Sequence, residues 1–275
     1  MMLPDEYQFS ASALQDFADC PQRFYLRYIL GISWPARITE PIREHEAHLQ
    51  RGSAFHRLVQ QHLNGVPGHA IEPLVQEAGL LDWWENYLGS WVAQAPFNRR
   101  YVEHVLSAPY CGRRLVAKYD LILVEDDQRL VIVDWKTSLR RPRLETLLIQ
   151  AQTRVYRYLL AKAVGFLPGG RIAEPEAIRM MYWFAKFPAE PEVLQYSADQ
   201  FQSDGETLLK SGEEILGRKE PGDFAPSGKA AACRTCLYSS YCEQGGSPVS
   251  FEEMDAGVEP ALPGLDFETI EEIAY

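Results

Sequence analysis

The spacing of apolar residues changes character along this chain. In "SASALQDFADCPQRFYLRYILG" it suits a helical hairpin. Ser12 and Gln15 are spaced as a capping box, Pro21 stands at a first helical position, and Phe24, Tyr25, Tyr28 and Ile29 form an apolar and aromatic face. Gly31 ends the second helix. The stretch 53–64, "SAFHRLVQQHLN", again has helical spacing: Phe55, Leu58, Val59 and His62 cluster near one side, and His56 lies off the centre of that stripe. Helical character returns over 72–94, rich in Trp and Leu.

Past residue 100 the pattern becomes that of strands. Runs rich in Val, Ile, Leu and Tyr at 101–107, 114–124 and 129–135, with the turn signal "EDDQ" before the last, predict a three-stranded meander. A helix over about 144–165, ending near Gly165, and a strand at 177–187 add a strand, crossover helix, strand unit. Residues 199–217 suit one more helix, after which a stretch with Gly, Pro and Ser leads to a cysteine cluster. There is no internal repeat. The expected class is α/β: a mixed central sheet flanked by helices, with an N-terminal helical region and a C-terminal cysteine-anchored extension.

Charge alters this picture only through its distribution. The 275 residues are 46% hydrophobic and 24% charged, ordinary for a soluble globular protein. The net charge of −11 argues at first against a nucleic-acid partner. Yet residues 246–275 hold eight acids and no Lys or Arg; without those acids the chain carries 27 basic against 30 acidic residues, a net charge of −3. A local basic groove is therefore compatible with the body, its candidates being Arg99, Arg100, Arg113, Arg114, Lys118, Arg140, Arg141 and Arg143, although such runs are more often solvated faces. The expected division is a domain over 8–245 and an acidic, flexible tail over 246–275. No apolar run is long enough to cross a bilayer, and "MMLPDEYQFSAS" lacks the basic and apolar blocks of a secretory signal, so a cytoplasmic protein without a membrane partner is expected.

The candidate chemistry starts at "LVIVDWKTS", 130–138. A buried strand ends there in Asp134 and Lys136, two residues apart and so on one side. A surface ion pair would explain this. So would a catalytic carboxylate and ammonium facing a shared metal and phosphate. Asp120 adds weight to the second reading, because it lies mid-strand among apolar residues in "LVAKYDLILVE", where a buried carboxylate wants a metal, a cation or several hydrogen bonds. A short turn can bring Asp120 and Asp134 together, and two like charges at that range need a cation between them. Carboxylate oxygens suit Mg²⁺, and an imidazole such as His56 shifts the preference toward Mn²⁺.

"GSAFH" with His56, "AKYD" with Asp120, "VDWK" with Asp134 and Lys136, and "QTRVY" with Gln152 and Tyr156 follow one another in an order that resembles the motif series of the PD-(D/E)XK nucleases, in their RecB-like branch. The opening "SASALQDFADCPQRFYLRYILGI" is similar to the start of AddB-type nuclease domains, and the likeness covers roughly 8–243. The resemblance implies a restriction-endonuclease-like sheet and a metal-dependent DNA nuclease, an exonuclease acting on ends or single strands in repair, recombination or CRISPR-type processing. It implies Asp120, Asp134 and Lys136 as catalytic residues. Its metal ligands would be His56, Asp120, Asp134 and the Trp135 main-chain carbonyl, while Gln152 and Tyr156 would contact DNA or position the site. Glu103 is assigned only a supporting place behind the ligands. Ala117 stands where relatives commonly have Gly, and no Pro precedes Asp120. "GDFAPSGKA" fails the phosphate-loop pattern, so unwinding would come from a partner such as a helicase or another repair or CRISPR protein.

In "CRTCLYSSYC", Cys233, Cys236 and Cys242 have the spacing C-x2-C-x5-C, and Cys20 lies far upstream. A zinc ribbon would pair two short C-x2-C knuckles. The one-plus-three arrangement instead resembles the iron-sulfur staple of AddB-type and CRISPR-associated nucleases, implying a [4Fe-4S] cluster at these four positions, with zinc as the alternative. A different class of function remains open beside the enzyme: a nucleic-acid-binding or assembly module that keeps the fold without turnover.

Overall fold

The computed structural model describes residues 3–32, 40–94, 99–125, 129–169 and 173–229, and then Ala232, Cys233, Cys236, Tyr238, Tyr241 and Cys242. The acidic tail and most of the "EDDQ" turn lie outside the described residues.

A short strand, Gln8–Phe9 (β1), leads into helices Ala11–Asp19 (α1) and Pro21–Phe24 (α2), the latter running on as a π-helical turn over Tyr25–Ile29. Helices Glu40–Leu63 (α3), Gly68–Ile71 (α4), Ala78–Leu88 (α5) and Trp91–Gln94 (α6) follow. The meander is Arg99–Tyr110 (β2), Arg113–Val124 (β3) and Leu130–Lys136 (β4). Helices Leu144–Ile149 (α7) and Ala151–Ala163 (α8) cross over to Ile178–Phe184 (β5), Phe187–Gln195 (β6) and the helix Ala198–Gly217 (α9).

One six-stranded sheet runs in the order β1-β3-β4-β5-β6, with β2 also paired to β3. The β2, β3 and β4 pairings are antiparallel, and β4 lies parallel to β5 after the helical crossover. Strands β1 and β4 share one side of β3: β1 pairs with Arg114 and Leu115, and β4 with residues from Leu121 to Val124. The mixed, helix-flanked sheet anticipated from the sequence is therefore present.

Three local details differ from the sequence reading. The first helix is capped by Ser10, whose Oγ accepts from the Ala13 N–H at 3.2 Å, so Ser12 and Gln15 make no capping box. The helix expected over 144–165 is broken at Gln150, whose ψ of 141° is extended. Strand β6 was not anticipated because Pro188 and Pro191 interrupt it; as the last strand of the sheet it can omit their ladder bonds.

Each face of the sheet has its own core. On one side α1, α8 and α9 cover Leu106, Tyr119, Ile132, Met180 and Tyr182. On the other, Phe55, Leu58 and Val59 of α3 and Trp83, Trp84 and Tyr87 of α5 cover Leu121, Leu123, Val133 and Trp183. Phe55 stacks on Trp183 with ring centres 6.2 Å apart. Each fully buried large side chain contributes about 1.5–3 kcal/mol, so this second core is ample to hold α3 against the strands.

The cores also bury phenols. Burial raises the pKa of Tyr7, Tyr28, Tyr87, Tyr110, Tyr119 and Tyr196, with the Asp16 charge adding to the effect at Tyr7 and Tyr28. Groups raised in the folded state keep their stabilising effect below the ordinary phenol value, about 10, and lose it as pH climbs beyond that. Resistance to urea is therefore expected to fall steeply above about pH 10, and unfolding curves at stepped pH values check it.

Candidate active site

The meander builds the site by register. Continuing the β3–β4 ladder by one residue beyond Leu121 and Val133 puts Asp120 across from Asp134. In the β2–β3 ladder, the residue between Val102 and His104 that faces Asp120 is Glu103. Three carboxylates thus stand in a row over three neighbouring strands. The backbone is irregular there. Glu103 has a φ of 52°, a left-handed conformation that a glutamate rarely adopts. The side-chain alternation also changes phase at this point: Ala117 and Tyr119 face the α8 side, whereas Leu121 and Leu123 face the α3 side. Among the described residues β3 has no ladder partner on its β4 side between Leu115 and Leu121, and the Asp120 carboxylate fills part of this gap by accepting the Trp135 N–H at 2.9 Å.

Helices reach this gap from both sides of the sheet. From α3, His56 Nδ1 lies 3.3 Å from Asp120 Oδ1. Its approach depends on Gly52, one turn earlier: a Cβ there would stand 2.8 Å from Thr137 Oγ1, just past the end of β4. From α8, Gln152 donates through Nε2 to Asp134 Oδ1 at 2.8 Å and accepts from Lys136 Nζ at 2.8 Å. Lys136 Nζ is also 2.8 Å from Asp134 Oδ2. Tyr156, one turn beyond Gln152, donates to the Lys118 carbonyl at 2.9 Å, and Lys118 is ion-paired with Glu103.

Two linked groups result. Ligand atoms of His56, Glu103 and Asp120 lie within 4.8 Å of one another. Beside them stand Asp134, Lys136 and Gln152, joined to the first group through the Trp135 main chain. Electrostatics show the strain of this packing. Burial disfavours a charged His56, but Asp120, helped by Asp134 and Glu103, outweighs it and holds the imidazole up at about 9. Burial also works against the Asp120 carboxylate, yet His56, the Trp135 N–H and Lys136 together keep it below its ordinary value. Glu103 is pushed up by burial and then by the Asp120 charge, with Lys118 opposing.

The oxygens of Glu103 and Asp120 with the His56 nitrogen form a donor set suited to Mg²⁺ or Mn²⁺. A cation there would relieve the repulsion that raises Glu103 and would replace the proton His56 carries. Of the residues singled out from the sequence, His56 and Asp120 meet in the ligand cluster, and Asp134 and Lys136 meet in the adjacent one. Gln152 is buried and turned inward, and the Tyr156 hydroxyl is turned onto β3. Glu103, given a supporting place from the sequence, joins His56 and Asp120 in the ligand cluster, and the register shows it opposite Asp120.

The expected basic groove is largely consumed by structure. Arg141 pairs with Glu190 and Glu192, Arg113 donates to the Leu3 carbonyl at 3.3 Å, Arg114 bonds Ser107, and Arg99 bonds the Gly169 carbonyl at 3.0 Å. Arg100 and Arg143 are exposed or nearly so. Away from the sheet, Cys20, Cys233, Cys236 and Cys242 line one cavity together with Arg23, Leu26 and Tyr238. Burial raises the Cys236 thiol, with Cys20 and Cys233 adding to it and a backbone hydrogen bond at Tyr238 and the Arg23 charge opposing. Thiols from position 20 and from 233–242 thus border one cavity, a donor type suited to a metal or cluster that binds sulfur.

A mixed sheet with carboxylates, an imidazole and a lysine gathered where its strands part defines a restriction-endonuclease-like domain. The profile of the PD-(D/E)XK nuclease superfamily matches residues 8–243, and the chain belongs to that superfamily. Among solved structures it is similar to a candidate exonuclease from Eubacterium rectale, with 14% identity over 92% of this chain and 94% of that one and a TM-score of 0.53. It also matches the protein designated SSO0001, with 14% identity over 88% of each chain and a TM-score of 0.43. Identities this low bear on fold alone. No curated protein matches the sequence. No described helix is long and apolar enough to cross a membrane.

Proposed function

We propose that this domain is a metal-dependent deoxyribonuclease, an exonuclease on DNA ends or single strands, with His56, Glu103 and Asp120 as metal ligands and Lys136 as the catalytic ammonium. The observation that carries the reading is the convergence of those three ligand atoms within 4.8 Å, next to the Asp134–Lys136 pair. A divalent ion held there would polarise the scissile phosphate and acidify an attacking water. Asp134 completes the acidic side of the site, with the Trp135 carbonyl beside it. Lys136, aimed by Gln152 and lying 5.2 Å from the Tyr182 ring centre, brings positive charge to where the phosphate becomes more negative. Its present partner Asp134 keeps it oriented until substrate arrives. Gln152 and Tyr156 act as positioning residues, since both are spent on contacts within the protein.

At the cysteines we propose a [4Fe-4S] cluster, with zinc as the alternative. The support is the single cavity that all four line, and the role is structural: a link between positions 20 and 242 closes a very long loop. The pathway proposed is DNA repair, recombination or CRISPR-type processing, with a helicase or similar protein as partner. The function is tested with end-labelled single and duplex DNA in Mg²⁺ or Mn²⁺, beside Lys136→Ala and Asp134→Ala. Cleavage by the unaltered protein, and its loss in both folded variants, is expected; full activity in both variants overturns the site. Protein purified without oxygen is expected to be brown and to contain iron. A colourless, zinc-containing preparation would replace the cluster by zinc.

A further inference from the structure

The N-terminus of α8 is capped by a side chain from α1, which is distant in sequence and packs against it. The residue at its own cap position, Gln150, makes no side-chain bond to the first turn. Instead the Ala151 N–H donates to Gln15 Oε1 of α1 at 2.9 Å, across 136 positions of sequence. Ala151 is one of the first-turn amides that helical bonding leaves without a partner, and it immediately precedes Gln152. Gln15 is held in turn: its Nε2 donates to Asp19 Oδ1 at 2.9 Å, and Asp19 Oδ2 accepts from Arg23 at 2.6 Å. Arg23 and Cys20 both line the cysteine cavity. Arg23 is anchored a second time, with its Nε 2.9 Å from Asp16 Oδ1.

Polar contacts therefore join the cavity to the first turn of α8, in the order Arg23, Asp19, Gln15 and Ala151, and the peptide bond from Ala151 carries the line on to Gln152 and its contacts with Asp134 and Lys136. We infer that Gln15 is a positioning residue for the reaction: it fixes the first turn of α8, so that Gln152 aims Lys136, and it takes its own orientation from the wall of the cysteine cavity. The inference rests on the nuclease reading for its kinetic part alone. The coupling has a physical reason. Helix α8 begins directly after a backbone break at Gln150, so its first turn is not steadied by continuous helix from α7. Without the Gln15 oxygen, Ala151 would have to find water, and Gln152 would shift with it.

The experiment uses the full chain as purified, with Gln15→Leu, Gln15→Glu combined with Asp19→Asn, and Asp19→Ala. Gln15→Leu is expected to lower kcat about 5- to 10-fold, the size of a lost helix cap, with little change in KM for DNA. Hydrogen exchange of the Ala151 amide should accelerate by a similar factor. Gln15→Glu combined with Asp19→Asn keeps an acceptor for that amide and a donor between positions 15 and 19, and should stay close to the unaltered protein in both readouts. Asp19→Ala should speed exchange at Ala151, because Asp19 holds Gln15 in place. Iron or zinc content should be unchanged in all three. The inference is overturned if Gln15→Leu leaves kcat and Ala151 exchange as they were, or if Gln15→Glu with Asp19→Asn is damaged as badly as Gln15→Leu. Should the unaltered protein cut no DNA, the nuclease reading falls, and the exchange measurements still decide the cap.

Discussion

Asp120→Asn is expected to reduce DNA cleavage by about three orders of magnitude or more, the scale at which removing a key electrostatic group acts in an active site. Asp120 is tied to the site in several ways. It accepts the Trp135 N–H, pairs with His56 and stands within the ligand cluster with Glu103. Asparagine keeps the shape and an acceptor for the Trp135 amide, so the strand ends should hold their places and the melting temperature should change little. What is lost is charge. One of two anionic ligands becomes neutral, and the affinity for Mn²⁺ measured by calorimetry should fall together with cleavage. Glu103→Gln should weaken metal binding in the same direction. Tight Mn²⁺ binding and normal cleavage by Asp120→Asn would remove the ligand cluster from the mechanism.

The second large effect belongs to a residue with no reactive group. Gly52→Ala is expected to lower cleavage about 10- to 100-fold, because misplacing a catalytic group by about 1 Å has consequences of that order. Two influences oppose each other at this position. Alanine favours a helix over glycine by about 1 kcal/mol, so α3 itself should become more stable. Its methyl group, however, would lie 2.8 Å from Thr137 Oγ1 and 3.8 Å from Thr137 Cβ. If α3 yields, His56 is carried away from Asp120 on the next turn of the same face. Removing the hydroxyl should cure this: Gly52→Ala with Thr137→Ala is expected to regain most of the activity and to melt no lower than the unaltered protein. Should Gly52→Ala alone cleave normally, Thr137 has simply rotated aside and the glycine is not needed for the approach.

Much of the framework was legible because it is written in local patterns. The runs at 114–124 and 129–135 became β3 and β4 almost residue for residue, and 199–217 became α9. Asp134 and Lys136 could be picked out because a period of two needs no knowledge of neighbours. Long helix breaks were less legible. Gln150 is a good helix former, so nothing in its residue type announces its extended ψ.

Glu103 marks where local reading stops. Its strand reads as ordinary alternation, and the positive φ that turns its carboxylate toward Asp120 has no sequence signature, as a glycine would have given. The phase change at Asp120 likewise defeats any argument from strict alternation, which would have put Tyr119 and Leu121 on one face. Gln15 shows the same limit from another direction. Its spacing from Ser12 suggested a local cap, and the bond it makes is to Ala151.

The sequence by itself determined the order of the main helices and of the strands from β2 to β5, the Asp134 and Lys136 pair at a strand end, the acid within β3 and the C-x2-C-x5-C cluster, because each follows from residue type and short spacing. Tertiary structure alone decided that Glu103 joins His56 and Asp120, that Gln152 turns inward to aim Lys136, and that Gly52 lets α3 close on β4. Those outcomes depend on register between strands and on distances between elements far apart in the chain, which no short window of residues contains.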